Sequence, residues 1–85
     1  MQASPWYQNF VLRCLIIQIM RTLDKLTAAG YMVIRGRQDN GDTVIIIFGK
    51  GCWGRHVFRH NDSLAVIREK VAYLVQSAKS LMLIQ

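Results

Sequence analysis

Cysteine is scarce in this sequence, and the scarcity excludes one class of small protein. Only Cys14 and Cys52 occur among the 85 residues. Two thiols cannot build the disulfide framework by which small secreted domains compensate for a limited core. The sequence therefore predicts a protein of the reducing cytoplasm. Cys14 lies within an apolar run and is expected to be a buried small hydrophobic residue.

Acidic residues are also few, which gives the chain a strong positive charge. Five Asp and Glu stand against eleven Lys and Arg, for a formal net charge of +6 at pH 7. Such a balance favours nucleic acid, an acidic protein or an anionic surface as partner, although charge alone also serves solubility. Nucleic acid, either DNA or RNA, is the leading hypothesis.

No apolar run is long enough to predict a membrane span. Residues 10–20 are strongly apolar, but Arg13 and Gln18 interrupt them, and a bilayer requires about 20 residues. Nevertheless, 52% of the chain is apolar, above the roughly 45–50% of soluble domains. Residues 1–85 make one domain with a small core. This excess of apolar residues predicts a homo-oligomer, preferably a dimer. The short length of the apolar run predicts that a membrane is not a partner.

A long first helix is predicted over residues 5–29. Ser4 is a natural N-cap, Pro5 suits the first helical position, and Gly30 can adopt the left-handed conformation that ends a helix. Apolar side chains surround nearly the whole circumference of its first half, so this half must be covered on all sides. The candidate oligomer-interface residues are Phe10, Leu12, Leu15, Ile16 and Ile19.

Three strands and a second helix are predicted to follow, in the order α-β-β-β-α. Asn40-Gly41 lies between two apolar runs and is a strong hairpin signal. The β-branched run at 43–48 is typical of a central strand covered on both faces. The fold class is therefore α+β, a three-stranded antiparallel sheet flanked by an N-terminal and a C-terminal helix. The strands are predicted at 31–37, 43–48 and 55–60, and the second helix at 63–79.

Double-stranded-RNA-binding domains share this order of elements. They carry a lysine cluster at the start of the second helix, whereas this chain reads Asp62-Ser63-Leu64-Ala65 there. The first helix is also longer and more apolar than theirs. The chain is therefore not assigned to that family, and the shared order is an analogy of fold, which is weak evidence for function.

Basic and aromatic residues are concentrated between Lys50 and His60. Arginine binds phosphate bidentately, and a tryptophan exposed in the glycine-rich loop at 49–54 can stack on a base. Alternatively, Trp53 and Phe58 complete the core while the arginines protect a strand edge. The candidate nucleic-acid-binding residues are Arg35, Arg37, Lys50, Trp53, Arg55, His56 and Arg59.

The spacing of Cys52, His56 and His60 suggests a metal site at first sight. Residues four apart on a strand lie about 13 Å from each other, too far for two Zn–N bonds of about 2.0–2.1 Å. No metal and no other cofactor are therefore expected.

Three functional alternatives follow from these residues. A metal-independent ribonuclease would use His56 or His60 as general acid or base. No nucleophile or phosphate-loop motif supports an enzyme, however, and no catalytic residue is assigned. A protein-interaction module, such as an adaptor or inhibitor from a mobile element, would act through the apolar first helix. Nucleic-acid binding by a small basic oligomer is preferred over both.

Overall fold

The computed structural model describes residues 5–83 and has the α+β order that the sequence predicts. The three strands form one antiparallel sheet with the second strand in the centre. Both helices pack against the same face of this sheet and against each other. The predicted fold class is confirmed. The elements are α1 Pro5–Ala28, β1 Met32–Arg37, β2 Thr43–Gly49, β3 Cys52–Phe58 and α2 Leu64–Met82.

The end of α1 is set by Gly30, as predicted. Gly30 has a φ of +99°, and its N–H donates to the carbonyl of Thr27 over 3.0 Å. The N–H of Tyr31 donates to the carbonyl of Leu26 over 3.0 Å. These two bonds form a Schellman motif, which satisfies carbonyls that the end of a helix leaves free. The predicted N-cap, Ser4, lies outside the described residues.

Gly30→Ala is expected to destabilise the protein by about 1–2 kcal/mol, because a left-handed φ places the added Cβ too close to its own carbonyl. No other atom lies within 4 Å of that Cβ, so the backbone alone causes the loss. For a domain of this size, thermal denaturation should report a fall of about 4–8 °C per kcal/mol. Gly36→Ala is the matched control, since its Cβ also meets open space and its φ is not positive. An equal loss in both variants would contradict the cap assignment.

The second hairpin corrects the predicted third strand. Lys50 and Gly51 alone connect β2 to β3, with φ values of +52° and +79°, as in the two-residue turns that match sheet twist. Because this turn is so short, β3 begins at Cys52 rather than at residue 55, and Trp53 lies in the strand rather than in a loop. β3 ends at Phe58 rather than at residue 60. Beyond it, the backbone N–H of His60 donates to the Asp42 carboxylate over 2.9 Å.

The core lies between the helices and the inner face of the sheet. Ile45 and Ile47 of β2 point into it, and α2 docks there through Leu74. Ser63 caps α2 by accepting the N–H of Val66 over 3.3 Å. The helix runs past the predicted residue 79 to Met82, since Leu81 and Met82 pack against the core. The buried hydrophobic residues are Leu23, Leu26, Tyr31, Ile45, Ile47, Val71, Leu74 and Ala78.

Two apolar surfaces of residues 5–83 stay uncovered. The first is the outer face of the sheet, so within one chain β2 is covered on one face and not on both as predicted. The second is α1, where Phe10 and Ile16 are exposed, whereas Leu12, Leu15 and Ile19 are partly buried. Ile19 packs against the chain's own core, so it serves folding in the isolated chain.

Cys14 was predicted to be buried, and the structure differs from this prediction. Cys14 is exposed, because it lies on the side of α1 that borders the solvent-facing groove with α2. None of the helices described within residues 5–83 is long and apolar enough to cross a membrane.

Candidate nucleic-acid interface

The outer face of the sheet displays an unusual set of side chains. Because successive strand residues point to opposite faces, and Ile45 and Ile47 point to the core, their neighbours in β2 point outward. The strand register brings residues of β1 and β3 to the same side. We call this surface the open face. It comprises Met32, Ile34, Val44, Ile46, Phe48, Trp53, Arg55 and Val57.

Two aromatic side chains and one arginine stand together on the open face. Trp53 is 73% exposed and lies directly opposite Phe48 in the β2–β3 register. Such opposite pairs have Cβ atoms about 4.5–5.5 Å apart. Arg55 follows Trp53 by two residues, so it points to the same side and is exposed. We call Phe48, Trp53 and Arg55 the aromatic–arginine strip.

The other predicted nucleic-acid-binding residues are not brought into this strip. Lys50 lies in the turn at one end of the sheet, with its ammonium 5.0 Å from the centroid of the Tyr31 ring. Arg37 and Arg59 lie near the other end, at the last residue of β1 and just beyond β3. Arg35 points to the helix side, where its guanidinium donates to the sulfur of Met20 over 2.9 Å. Lys50, Arg37 and Arg59 therefore lie at the two ends of the sheet, and Arg37 shares the helix side with Arg35 because it follows Arg35 by two residues.

His56 lies between β3 and α2 rather than on the open face. Its ring centroid is 5.6 Å from that of Tyr73, and desolvation by burial lowers the pKa of His56 below its usual 6.5. The imidazole is therefore mainly neutral at pH 7. His60 lies beyond β3, with Nδ1 3.0 Å from an oxygen of Asp42. The ribonuclease alternative thus has its two histidines in different environments.

Two of the five acidic residues are engaged in loop contacts. Hydrogen bonds from the His60 side chain and backbone lower the pKa of Asp42. The Asp62 carboxylate accepts hydrogen bonds from the ammonium of Lys70 and from the backbone N–H of Arg59. These contacts lower the pKa of Asp62, and the hydrogen bond from Lys70 has the largest effect. Both carboxylates are therefore held by loop contacts, and neither is hydrogen-bonded to Arg55 of the open face.

Sequence reasoning missed three concave sites that depend on how α2 packs. Cavities of about 260 and 300 Å³ lie between β3 and α2 and share Arg55, His56 and Tyr73. A third, of about 380 Å³, lies between the helices and is lined in part by Arg21, Lys25 and Val75. The four-residue spacing of Arg21 and Lys25 marks one helix face, but nothing in the sequence pairs that face with Val75.

The part of the chain that the structure describes contains no group of three or more His, Cys, Asp or Glu placed to hold a metal ion. Comparisons with protein-family models, with curated proteins and with solved structures give no match to this chain.

Proposed function

We propose that the protein binds single-stranded nucleic acid on the open face. The observation that carries the proposal is the aromatic–arginine strip, with Trp53 73% exposed opposite Phe48. An open sheet with exposed aromatic residues is one means by which proteins stack unpaired bases. Arg55, beside the two rings, supplies a planar cation for the adjoining phosphate.

The distribution of charge favours a single strand over a duplex. Arg55 is the one charged residue of the open face, whereas Arg37 and Arg59 lie at one end of the sheet and Lys50 at the other. A duplex presents phosphates along its length and hides the faces of its bases. A duplex-binding surface therefore needs many cations and gains nothing from exposed aromatic rings. A single strand lying across Trp53 would expose bases to the rings and phosphates to the cations at both ends.

Trp53→Ala is expected to weaken single-strand binding by about 1–3 kcal/mol, roughly 5- to 150-fold, because it removes one stacking contact. Arg55→Ala should reduce the dependence of log affinity on log salt by about 0.7–1, since it removes one phosphate contact. Fluorescence anisotropy with labelled single- and double-stranded RNA and DNA at about 50 and 200 mM salt measures both effects.

Arg68→Ala is the matched control for Arg55→Ala. Arg68 is exposed on α2, so its replacement removes the same charge from the helix layer and should leave affinity near wild type. The proposal fails if no saturable binding occurs at about 50 mM salt, or if the two arginine variants lose affinity equally.

The proposal includes self-association, with a dimer preferred. The open face and the N-terminal half of α1 both leave large apolar side chains in solvent, and contiguous apolar patches on soluble proteins mark interaction sites. Along α1, exposed Trp6, Phe10, Ile17 and Met20 follow a spacing of four, seven and three residues, which keeps them on one helix side. A cytoplasmic location is part of the same proposal, since Cys14 and Cys52 are free thiols.

A protein-interaction module is the second candidate function, and the same side of α1 favours it. Phe10 is 58% exposed, and an amphipathic helix of this kind can lie in the groove of a different protein. The two candidates differ in their sensitive surface. Variants of the aromatic–arginine strip should impair only nucleic-acid binding, whereas variants of exposed α1 residues should impair only association with protein.

A further inference from the structure

The outer edge of β3 offers backbone hydrogen-bonding groups. Gly49 and Cys52 flank the Lys50–Gly51 turn and therefore exchange the hydrogen bond that closes it. Opposite residues of an antiparallel pair of strands alternate between hydrogen-bonded and non-hydrogen-bonded pairs. The Gly49–Cys52 pair therefore determines which other opposite residues of β2 and β3 are hydrogen-bonded to each other. Trp53, Arg55 and Val57 consequently direct their N–H and C=O groups away from β2. No strand within residues 5–83 pairs with that edge.

A groove runs beside this edge on the helix side. The cavities of about 260 and 300 Å³ between β3 and α2 adjoin at the His56–Tyr73 ring pair, which lines both. Phe58 lines the first cavity and Gly54 the second. Gly54 faces inward without a side chain, which leaves space beside the edge. Free backbone groups and two side-chain-sized cavities thus lie along the same strand.

We infer that this groove binds an extended acidic peptide segment of another protein, added to the sheet as a strand next to β3. Backbone bonds to the edge supply affinity in this mode, and pockets for alternate side chains supply specificity. The peptide side chains opposite Gly54 and His56 would point into the two cavities on the helix side. The peptide side chain between them would lie beside Arg55 on the open face. The recognised pattern is therefore apolar, acidic, apolar.

Charge argues against a second copy of this chain as the occupant. In antiparallel pairing of two β3 edges, the one register that uses Trp53, Arg55 and Val57 of both copies places Arg55 opposite Arg55. Like charges directly opposite each other destabilise a strand pair. A carboxylate at that position complements Arg55 instead, and the net charge of +6 attracts an acidic segment.

Gly54→Val tests the groove directly. A Cβ at Gly54 would meet only the His56 ring, at 3.9 Å, and its φ is not positive, so valine fills the cavity without strain at the Cβ. Gly36→Val is the matched control, a strand glycine whose Cβ meets nothing within 4 Å. The probe is a labelled seven-residue peptide of alternating valine and aspartate, compared with its lysine counterpart and with a backbone N-methylated form.

We expect the aspartate peptide to saturate the wild type and to shift the amide NMR signals of Trp53, Arg55 and Val57. Gly54→Val, the lysine peptide and the N-methylated peptide should each lose about tenfold in affinity or more, while Gly36→Val binds as wild type. Absence of aspartate-peptide binding, or equal binding by Gly54→Val and wild type, overturns the inference. It does not rest on the nucleic-acid proposal, which depends on Trp53 and should be unaffected in Gly54→Val.

Discussion

Leu74→Ala is expected to lower the melting temperature by at least about 8 °C. Leu74 is fully buried in the cluster that α2 forms with α1 and β2. Truncating such a residue costs about 2–5 kcal/mol, since it removes apolar burial and leaves a cavity. The total stability of small domains is only about 5–15 kcal/mol. Circular dichroism against temperature, with each kcal/mol worth about 4–8 °C, gives the measurement.

The chain offers a matched control for this loss. Leu83 immediately follows α2 and is 82% exposed, so Leu83→Ala makes the same chemical change without opening a cavity. Its effect should stay within about 0.5 kcal/mol, as for most surface substitutions. Equal shifts for the two variants would mean that Leu74 does not lie in the core.

Phe10→Glu is expected to dissociate the proposed oligomer while the chain stays folded. Phe10 is 58% exposed and lies outside the core cluster, so a charge there meets water in the monomer and an apolar partner in the oligomer. A central interface residue of this size contributes about 2 kcal/mol or more, roughly 30-fold in the dissociation constant. Sedimentation velocity and circular dichroism measure association and folding separately.

The choice of Phe10 matters because Ile19 packs against the chain's own core. Ile19→Glu would unfold the monomer, and its loss of association would prove nothing about the interface. Gln8→Glu adds the same charge at an exposed polar residue of the same helix region and should keep the oligomer. A wild type that sediments as a monomer would remove the self-association proposal and leave the exposed α1 residues for a different protein. An oligomer that survives Phe10→Glu would place the contact away from Phe10.

The sequence predicted best the features that a few neighbouring residues decide. Gly30 ends α1 because only its own backbone must adopt a positive φ, and Ser63 caps α2 through a bond to Val66, three residues away. Gly41 likewise takes a positive φ in the first hairpin, as the Asn40-Gly41 pair indicates. The start of β3 was missed because Lys50 adopts a positive φ, which is uncommon for a side chain with a Cβ.

The candidate site was harder to predict, since its composition depends on distant pairing. Lys50, Trp53, Arg55 and His56 are near neighbours in the sequence, and charge patterning alone places them together. Strand alternation separates them in space: Trp53 and Arg55 point to the open face, whereas His56 turns toward Tyr73 of α2. Because β3 begins three residues earlier than predicted, Trp53 lies in the sheet rather than in a loop.

The amino-acid sequence by itself determined the order of elements, the end of α1, the start of α2 and the positive charge, because capping, turn formation and ionisation depend on residues within a few positions of one another. Only the tertiary structure decided which face of the sheet stays open, which side of α1 stays exposed, and that β3 and α2 enclose a groove. Those outcomes depend on how the helices dock on the sheet, which is set by the burial of Leu26, Ile47 and Leu74, residues far apart in the chain.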